Sequence, residues 1–334
     1  MEKILLPKLE SRLTKLSLDH LNPDDQRQIY ILRDDELGGF WGTKFRKYAS
    51  INAHCLAQNI PNIIATGGIN SNNLAAAATL CAEKGLKVSA FAVDDHSENP
   101  NLQTGNRFLL RLAISPENLH LIQREDKPQI STLMRELADK FDAKGQNSLI
   151  LEDGGGCLPA VKGCLTLADD IVRDRQEWPK GTFPDHIFMD SGTGLSVASL
   201  AAGLLKKDLL KKTRIHIVQM AGFEEQVLQA FSNWVTPVTG VSWNDVAERV
   251  RVYRPLSPRS YGATSEELFA FIRKMARNHG ILLDPIYSGK LFMRAFDLIH
   301  GQNCRGNILI VHTGGISGMM GFPRIIEDLA PPSR

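Results

Sequence analysis

Glycines at 38, 39 and 42 lead into Thr43, Lys44, Phe45, Arg46 and Lys47, an order that delivers an amine from a close-approach turn into a helix start. A neutral lysine amine in such a place attacks carbonyls. Glycine relaxes the backbone where a ligand must come near, and Thr43 is the expected N-cap of a helix starting at Lys44. The positive helix terminus, with Arg46 and Lys47 beside it, is expected to favour the neutral amine. The ordinary alternative is a solvated basic face on a helix continuing through Tyr48, Ile51 and Leu56, the usual fate of charged clusters.

Three further segments have the form of a strand, a glycine-rich turn and a helix start. Thr66-Gly67-Gly68-Ile69-Asn70-Ser71-Asn72 offers backbone N–H groups and neutral side chains suited to a carboxylate or a phenolic oxygen. Ser191-Gly192-Thr193-Gly194-Leu195-Ser196 reads as a cradle for a single phosphate at a helix N-terminus. It has neither the lysine of a Walker loop nor the three glycines of a dinucleotide fingerprint. His312-Thr313-Gly314-Gly315 closes the last strand; Thr313 and the glycines could line a flat ligand, while His312 reads as a structural histidine. Upstream, Tyr287 and Ser288 place a ring and a hydroxyl at another helix start. Each of these turns could equally be a capped turn with no ligand.

The elements that must position these groups alternate. Short β-branched runs at 62–66, 87–93, 118–122, 148–151, 186–190, 215–220 and 307–312 predict strands, and helical spacing recurs at 73–83, 131–141, 195–205, 265–278 and 289–299. This alternation predicts an α/β fold of mostly parallel sheets flanked by helices. The polar stretch from Asp169 to Asp185 reads as a linker. Two lobes are expected: residues 49–159 form a small one, and residues 1–48 with 160–334 form a large cofactor-binding one, with a ligand cleft between them.

With 334 residues, 43% hydrophobic and a formal charge of +2, the chain has no extended basic surface for nucleic acid. Its apolar runs are too short for a membrane span, and no signal-length segment follows Met1; a cytoplasmic protein is expected. Cys55, Cys81, Cys157, Cys164 and Cys304 have no metal-ligand spacing, so free, mostly buried thiols and no metal are expected. Cys157, in the Gly154-Gly155-Gly156 loop, is the one candidate pocket thiol.

A lysine, a phosphate cradle, an oxygen-binding turn and a stacking ring are the parts that hold pyridoxal phosphate. In order along the chain, Arg33-Asp34-Asp35, Gly42 to Lys47, Thr66 to Asn72, Thr104-Gly105-Asn106, Ser191 to Gly194, Tyr261-Gly262, Asp284 to Lys290 and Thr313 to Gly315 resemble one family. It is the pyridoxal-phosphate enzymes of the tryptophan synthase β-subunit fold (fold type II), in the branch of D-cysteine desulfhydrase and 1-aminocyclopropane-1-carboxylate (ACC) deaminase. The resemblance spans nearly the whole chain and departs from the usual pattern at Trp41, Thr43, Asn70 and Cys157.

The resemblance implies that Lys44 binds the cofactor covalently and serves as base at the substrate α-carbon. It implies that Asn72 lies beside the phenolic oxygen, that Ser71 contacts the substrate carboxylate or assists proton transfer, and that Gly192, Thr193, Gly194, Leu195 and Ser196 hold the phosphate. Tyr287 would lie near the cofactor face, Tyr261 would offer a substrate-side hydroxyl, and Asn70 would join Ser71 and Asn72 against the substrate. Thr313 and Gly314 would flank the ring, with Ser288 at the pyridine nitrogen. Where the deaminases carry glutamate, Ser288 is neutral and better matched to β-elimination. A lyase acting on a small amino acid such as D-cysteine, giving pyruvate, ammonia and sulfide, is therefore expected, working as a homodimer. A deaminase, a racemase and a silent pyridoxal-phosphate or metabolite carrier remain the alternatives.

Overall fold

The computed structural model describes residues 9–16, 27–94, 104–173, 183–301 and 304–329. Its strands are β1 (Leu13–Leu16), β2 (Gln28–Leu32), β3 (Asn62–Gly68), β4 (Lys87–Val93), β5 (Leu119–Ile122), β6 (Ser148–Leu151), β7 (His186–Ser191), β8 (Arg214–Gln219), β9 (Val250–Tyr253) and β10 (Asn307–Val311). Its helices are α1 (Thr43–Ala57), α2 (Asn72–Ala82), α3 (Gly105–Ala113), α4 (Ile130–Asp142), α5 (Leu158–Arg173), α6 (Leu195–Lys206), α7 (Glu224–Ala230), α8 (Thr236–Thr239), α9 (Glu266–His279), α10 (Ser288–Gly301) and α11 (Ile316–Met319).

Six strands form one sheet in the order β1-β2-β10-β7-β8-β9, and four form a second in the order β5-β4-β3-β6. All neighbours are parallel except the antiparallel pair β1·β2. Parallel sheets bury both faces, and strand alternation sorts the side chains accordingly. On β7, Ile187 and Met189 enter the large core shared with α1, α2, α5 and α6. Phe188 points the other way, into the cluster under α9 and α10. On β3, Ile63 and Ala65 join the shared core while Ile64 packs with Phe91, Ile130 and Met134 of the α4 side. Burial of a side chain the size of Phe188 stabilises by about 1.5–3 kcal/mol.

The expected strands all appear, with ends displaced by at most two residues. The sequence reading did not anticipate β1, β2 and β9, nor helices α3, α5, α7 and α8. The alternating Val250-Arg251-Val252-Tyr253 of β9 carries a strand signal in hindsight. The supposed linker is corrected: Asp169 to Arg173 complete α5, and residues 174–182 lie outside the described residues.

The start of α1 is corrected as well. The helix begins at Thr43 with Gly42 as its N-cap at φ 62°, and no side chain caps it. Only glycine fits there, because a Cβ at 42 would collide with the Thr313 carbonyl oxygen. That approach lets the Thr43 N–H donate to Thr313 O at 3.0 Å. Thr43 Oγ1 donates to Asp34 Oδ2 at 2.7 Å instead of capping the helix.

Candidate active site

Lys44 sits in the first turn of α1, half-buried, while Arg46 and Lys47 beside it are buried. The solvated-face alternative therefore fails. The Arg46 guanidinium is fully buried, donating to Asp34 Oδ1 at 2.7 Å, to Asp170 Oδ2, to Ser11 Oγ at 2.9 Å and to Thr166 Oγ1 at 2.8 Å. Its charge is thus matched by two carboxylates rather than directed at Lys44. Coupling α1 to the N-terminal segment and to α5 in this way fixes the turn that carries Lys44, since breaking such a buried pair costs about 3–5 kcal/mol.

Lys44 opens onto a cleft of about 1160 Å³ at the carboxyl ends of β3, β7 and β10, the place where open parallel sheets bind ligands. The Lys44 ammonium lies 5.5 Å from the centroid of the Tyr287 ring, within cation–π range. The Tyr287 hydroxyl meets the Tyr261 hydroxyl at 3.0 Å. Burial raises the Tyr287 phenol well above its ordinary pKa, with Tyr261 adding to it. This pair is therefore protonated at neutral pH.

On the opposite wall, Ser71 is the N-cap of α2; its Oγ accepts from the Asn73 and Leu74 N–H groups at 3.1 and 3.3 Å, and its O–H remains to donate. Asn72 Oδ1 accepts from Asn106 Nδ2 at 2.5 Å, which leaves the Asn72 amide N–H₂ as the donor available to a ligand. Asn70, Ser71 and Asn72 all line the cleft. The turn is both a capped helix start and a wall of donors.

Gly192, Thr193, Gly194, Leu195 and Ser196 form the cleft's third side. Gly194 caps α6 at φ 87° without a side chain, so the first N–H groups of the helix keep no side-chain partner. Gln219 Nε2 donates to Gly192 O and Ala221 O, both at 2.6 Å, fixing the loop. Lys47 Nζ donates to Gly154 O, and Gly154 abuts the Thr193 hydroxyl. Burial is the main cause that lowers the Lys47 pKa. Sequence reading treated Lys47 only as a neighbour of Lys44, although residues three apart on a helix share a face.

Thr313 Oγ1 donates to Asp190 Oδ1 at 2.8 Å on the cleft floor. Asp190 is the other residue the sequence did not single out; its place at the end of a central parallel strand was the available signal. Burial raises its carboxyl pKa, opposed by Lys44 and Thr313. Ser288, expected at the pyridine nitrogen, does not line the cleft. It is fully buried, donating to Asp284 Oδ1 at 2.7 Å and accepting from the Asp284 N–H at 2.8 Å. Asp284 faces the cleft in its place. Gly314 also lies behind the lining; at φ 107° it packs against Gly42.

His312 is fully buried, its Nε2 2.8 Å from Leu282 O, a structural histidine as expected. The five cysteines are free and buried. Cys157 belongs to the core and not to the cleft lining, with burial pushing its thiol up to about 12. Trp41 likewise packs into the core.

The donor set matches a phosphate ester bearing a carbonyl and a flat ring. Helix N–H groups, two hydroxyls and a buried lysine suit the phosphate, Lys44 suits the carbonyl, and Tyr287 and Asn72 suit the ring and its oxygen. Ser191 Oγ and Asn106 Oδ1, both from cleft-lining residues, are buried without a hydrogen-bond partner. Such atoms are costly unless a ligand engages them.

Comparison with known proteins gives the same answer. Residues 9–314 match the model of the pyridoxal-phosphate dependent enzyme family, and the chain belongs to that family. It is a pyridoxal-phosphate-dependent enzyme with two mostly parallel sheets flanked by helices. A D-cysteine desulfhydrase of Serratia proteamaculans (strain 568) is 29% identical over 333 residues, covering 93% of this chain and 92% of that one. The crystal structure of an ACC deaminase homologue superposes with a TM-score of 0.76 at 23% identity, covering 98% of this chain and 95% of that one. A hydrogen sulfide-producing enzyme from Fusobacterium nucleatum superposes with a TM-score of 0.63 at 16% identity, covering 93% and 97%.

Proposed function

We propose that this enzyme is a lyase that removes the β-substituent of a small amino acid, and that D-cysteine is its substrate. The observation that carries the reading is the meeting, in one cleft, of Lys44 with the Tyr261–Tyr287 hydroxyl pair and the Ser71 hydroxyl. Bound pyridoxal phosphate supplies the electron-withdrawing ring. Lys44, which holds the cofactor covalently between turnovers, takes the proton from the substrate α-carbon. Ser71 donates to the substrate carboxylate, with Asn70 and Asn72 beside it. The tyrosine pair delivers a proton to the departing thiolate. D-cysteine and water then become pyruvate, ammonia and hydrogen sulfide. Gly192 to Ser196 and Lys47 anchor the phosphate, and Thr313 and Asp190 close the floor.

One observation favours a deaminase as the second reading: the hydroxyls of Thr313 and Ser288 each donate to a buried carboxylate, Asp190 and Asp284, so this side of the site is not as neutral as a lone serine would make it. Assays of pyruvate and sulfide from D-cysteine, L-cysteine and D-serine, beside 2-ketobutyrate from the cyclopropane amino acid, separate the two. Turnover of the cyclopropane substrate alone would overturn the lyase reading.

We further propose a homodimer in the cytoplasm, with residues 1–48 and 160–334 as the cofactor lobe and 49–159 as the smaller lobe. Five free cysteines support a reducing compartment, and among the described residues no helix is long and apolar enough to cross a membrane. Sedimentation of the holoenzyme tests the dimer.

A further inference from the structure

At the end of the large sheet opposite the cofactor, three side chains from separate parts of the chain converge. His186 begins β7, His216 is the third residue of β8, and Cys304 precedes β10. His216 is paired in register with Phe188, so His186, two residues earlier, shares its face. His186 Nδ1 and His216 Nε2 are 3.0 Å apart, and the Cys304 sulfur lies within 4.8 Å of a ring nitrogen of each histidine. Asp190, the cleft residue of β7, is four positions further on, roughly 13 Å along the strand. The cluster is therefore separate from the catalytic cleft.

The cluster is held in place. The His216 ring stacks on Phe188 with centroids 4.3 Å apart and an interplanar angle of 12°, and it stacks less closely on Tyr253 at 5.7 Å. Its other nitrogen, Nδ1, is 3.3 Å from the Tyr253 hydroxyl, the kind of outer partner that orients a ligating imidazole. His216 and Cys304 are buried, while His186 is half-buried. The cluster therefore reaches the surface along one edge.

We propose that His186, His216 and Cys304 form a binding site for a soft or borderline d¹⁰ cation, zinc(II) or copper(I). Two imidazoles and a thiolate are the donors these ions prefer. Facing charge narrows the choice of cation. Arg214 is paired with His186 in the sheet and Arg251 with His216, and Arg294 lies 5.5 Å from the Tyr253 ring; Asp185 precedes His186 as the opposing carboxylate. In this basic surrounding the thiolate is the essential anion. Copper(I) with one thiolate leaves a neutral centre and binds more tightly than zinc(II). The bond formed is metal–sulfur, and the Cys304 proton passes to solvent.

The test uses the holoenzyme, stripped of metal by a chelator and kept reduced, with its visible cofactor band recorded as the check on folding. Calorimetric titration with zinc(II), and with copper(I) under a competing chelator, is expected to give one equivalent per chain. X-ray absorption of the zinc form is expected to show one sulfur and two imidazole nitrogens. Tyr253→Phe should weaken binding by about tenfold. Cys304→Ser and His186→Gln should abolish it while retaining the cofactor band; His186, half-buried at the edge, is the substitution least disturbing to the core. Substoichiometric binding by the wild type, binding that survives both substitutions, or a metal shell without sulfur would overturn the proposal and leave a plain imidazole–imidazole hydrogen bond.

Discussion

Thr313 Oγ1 donates to Asp190 Oδ1 at 2.8 Å, joining the ends of β10 and β7 near Lys44. Burial raises the Asp190 pKa, so its contribution to stability is present while it is protonated, below the ordinary carboxylate range, and is lost as pH rises through the raised value. At neutral pH, above the ordinary carboxylate range of the unfolded chain, the raised value weighs against the folded, cofactor-free protein. Asp190→Asn, which keeps the acceptor, should move the urea midpoint at pH 7 upward, and the gain should disappear in acid. Asp190→Ala should instead lose about 1–3 kcal/mol by leaving the Thr313 hydroxyl without its acceptor. A neutral-pH midpoint for Asp190→Asn at or below wild type would refute this.

Lys44→Ala should remove the covalent, borohydride-reducible link to pyridoxal phosphate and lower turnover by roughly 10²- to 10⁴-fold or more. Visible spectra before and after borohydride, with mass spectrometry of the peptide containing residue 44, check it. A retained link would place the anchor elsewhere.

Lys47→Met should weaken cofactor binding while leaving turnover largely intact at saturating pyridoxal phosphate, because Lys47 lies on the Gly154–Thr193 side of the cleft, the side that the proposed function gives to the phosphate. Equilibrium dialysis against the free cofactor measures this. A loss of turnover that excess cofactor does not restore would count against the assignment.

Gly194→Ala should be disruptive out of proportion to its size. A Cβ there would lie 2.5 Å from the Gln226 carbonyl oxygen, at φ 87°, and the backbone term alone costs about 1–3 kcal/mol. A lower melting temperature and a raised cofactor dissociation constant should appear together. Gly39→Ala, at φ 85° but with open space around it, is the control for backbone strain without collision.

Ser288→Ala should lower stability by about 1 kcal/mol, the scale of a lost cap or turn hydrogen bond, and leave the cofactor's visible band in place. The Ser288 hydroxyl is occupied by Asp284. A shifted band with unchanged stability would return Ser288 to the pyridine nitrogen.

The α/β alternation, seven strand positions, the helix starting beside Lys44, the glycine turn into α6 and the donor-rich Asn70–Ser71–Asn72 turn were all legible in the sequence. Each depends on local periodicity or on glycine and cap chemistry within a few residues. The short pair β1 and β2 was not. Its strands are four and five residues long and owe their conformation to pairing across the sheet rather than to a pattern of their own.

What the sequence determined by itself was the class of chemistry: an amine at a helix start and a phosphate cradle, in an order that matches one enzyme family. Tertiary structure decided how the side chains divide the work. Arg46 became an internal tie through Asp34 and Asp170 and Lys47 a donor to the Gly154 carbonyl, because hydrogen-bond partners distant in sequence competed for them, while Ser288 became a cap for its own turn against Asp284. Cys304 stands 88 residues beyond His216 in the chain, and no spacing rule joins them. Parallel strands collect at one end residues that the sequence scatters, which is how the chain acquires both its cleft and the histidine–cysteine cluster opposite it.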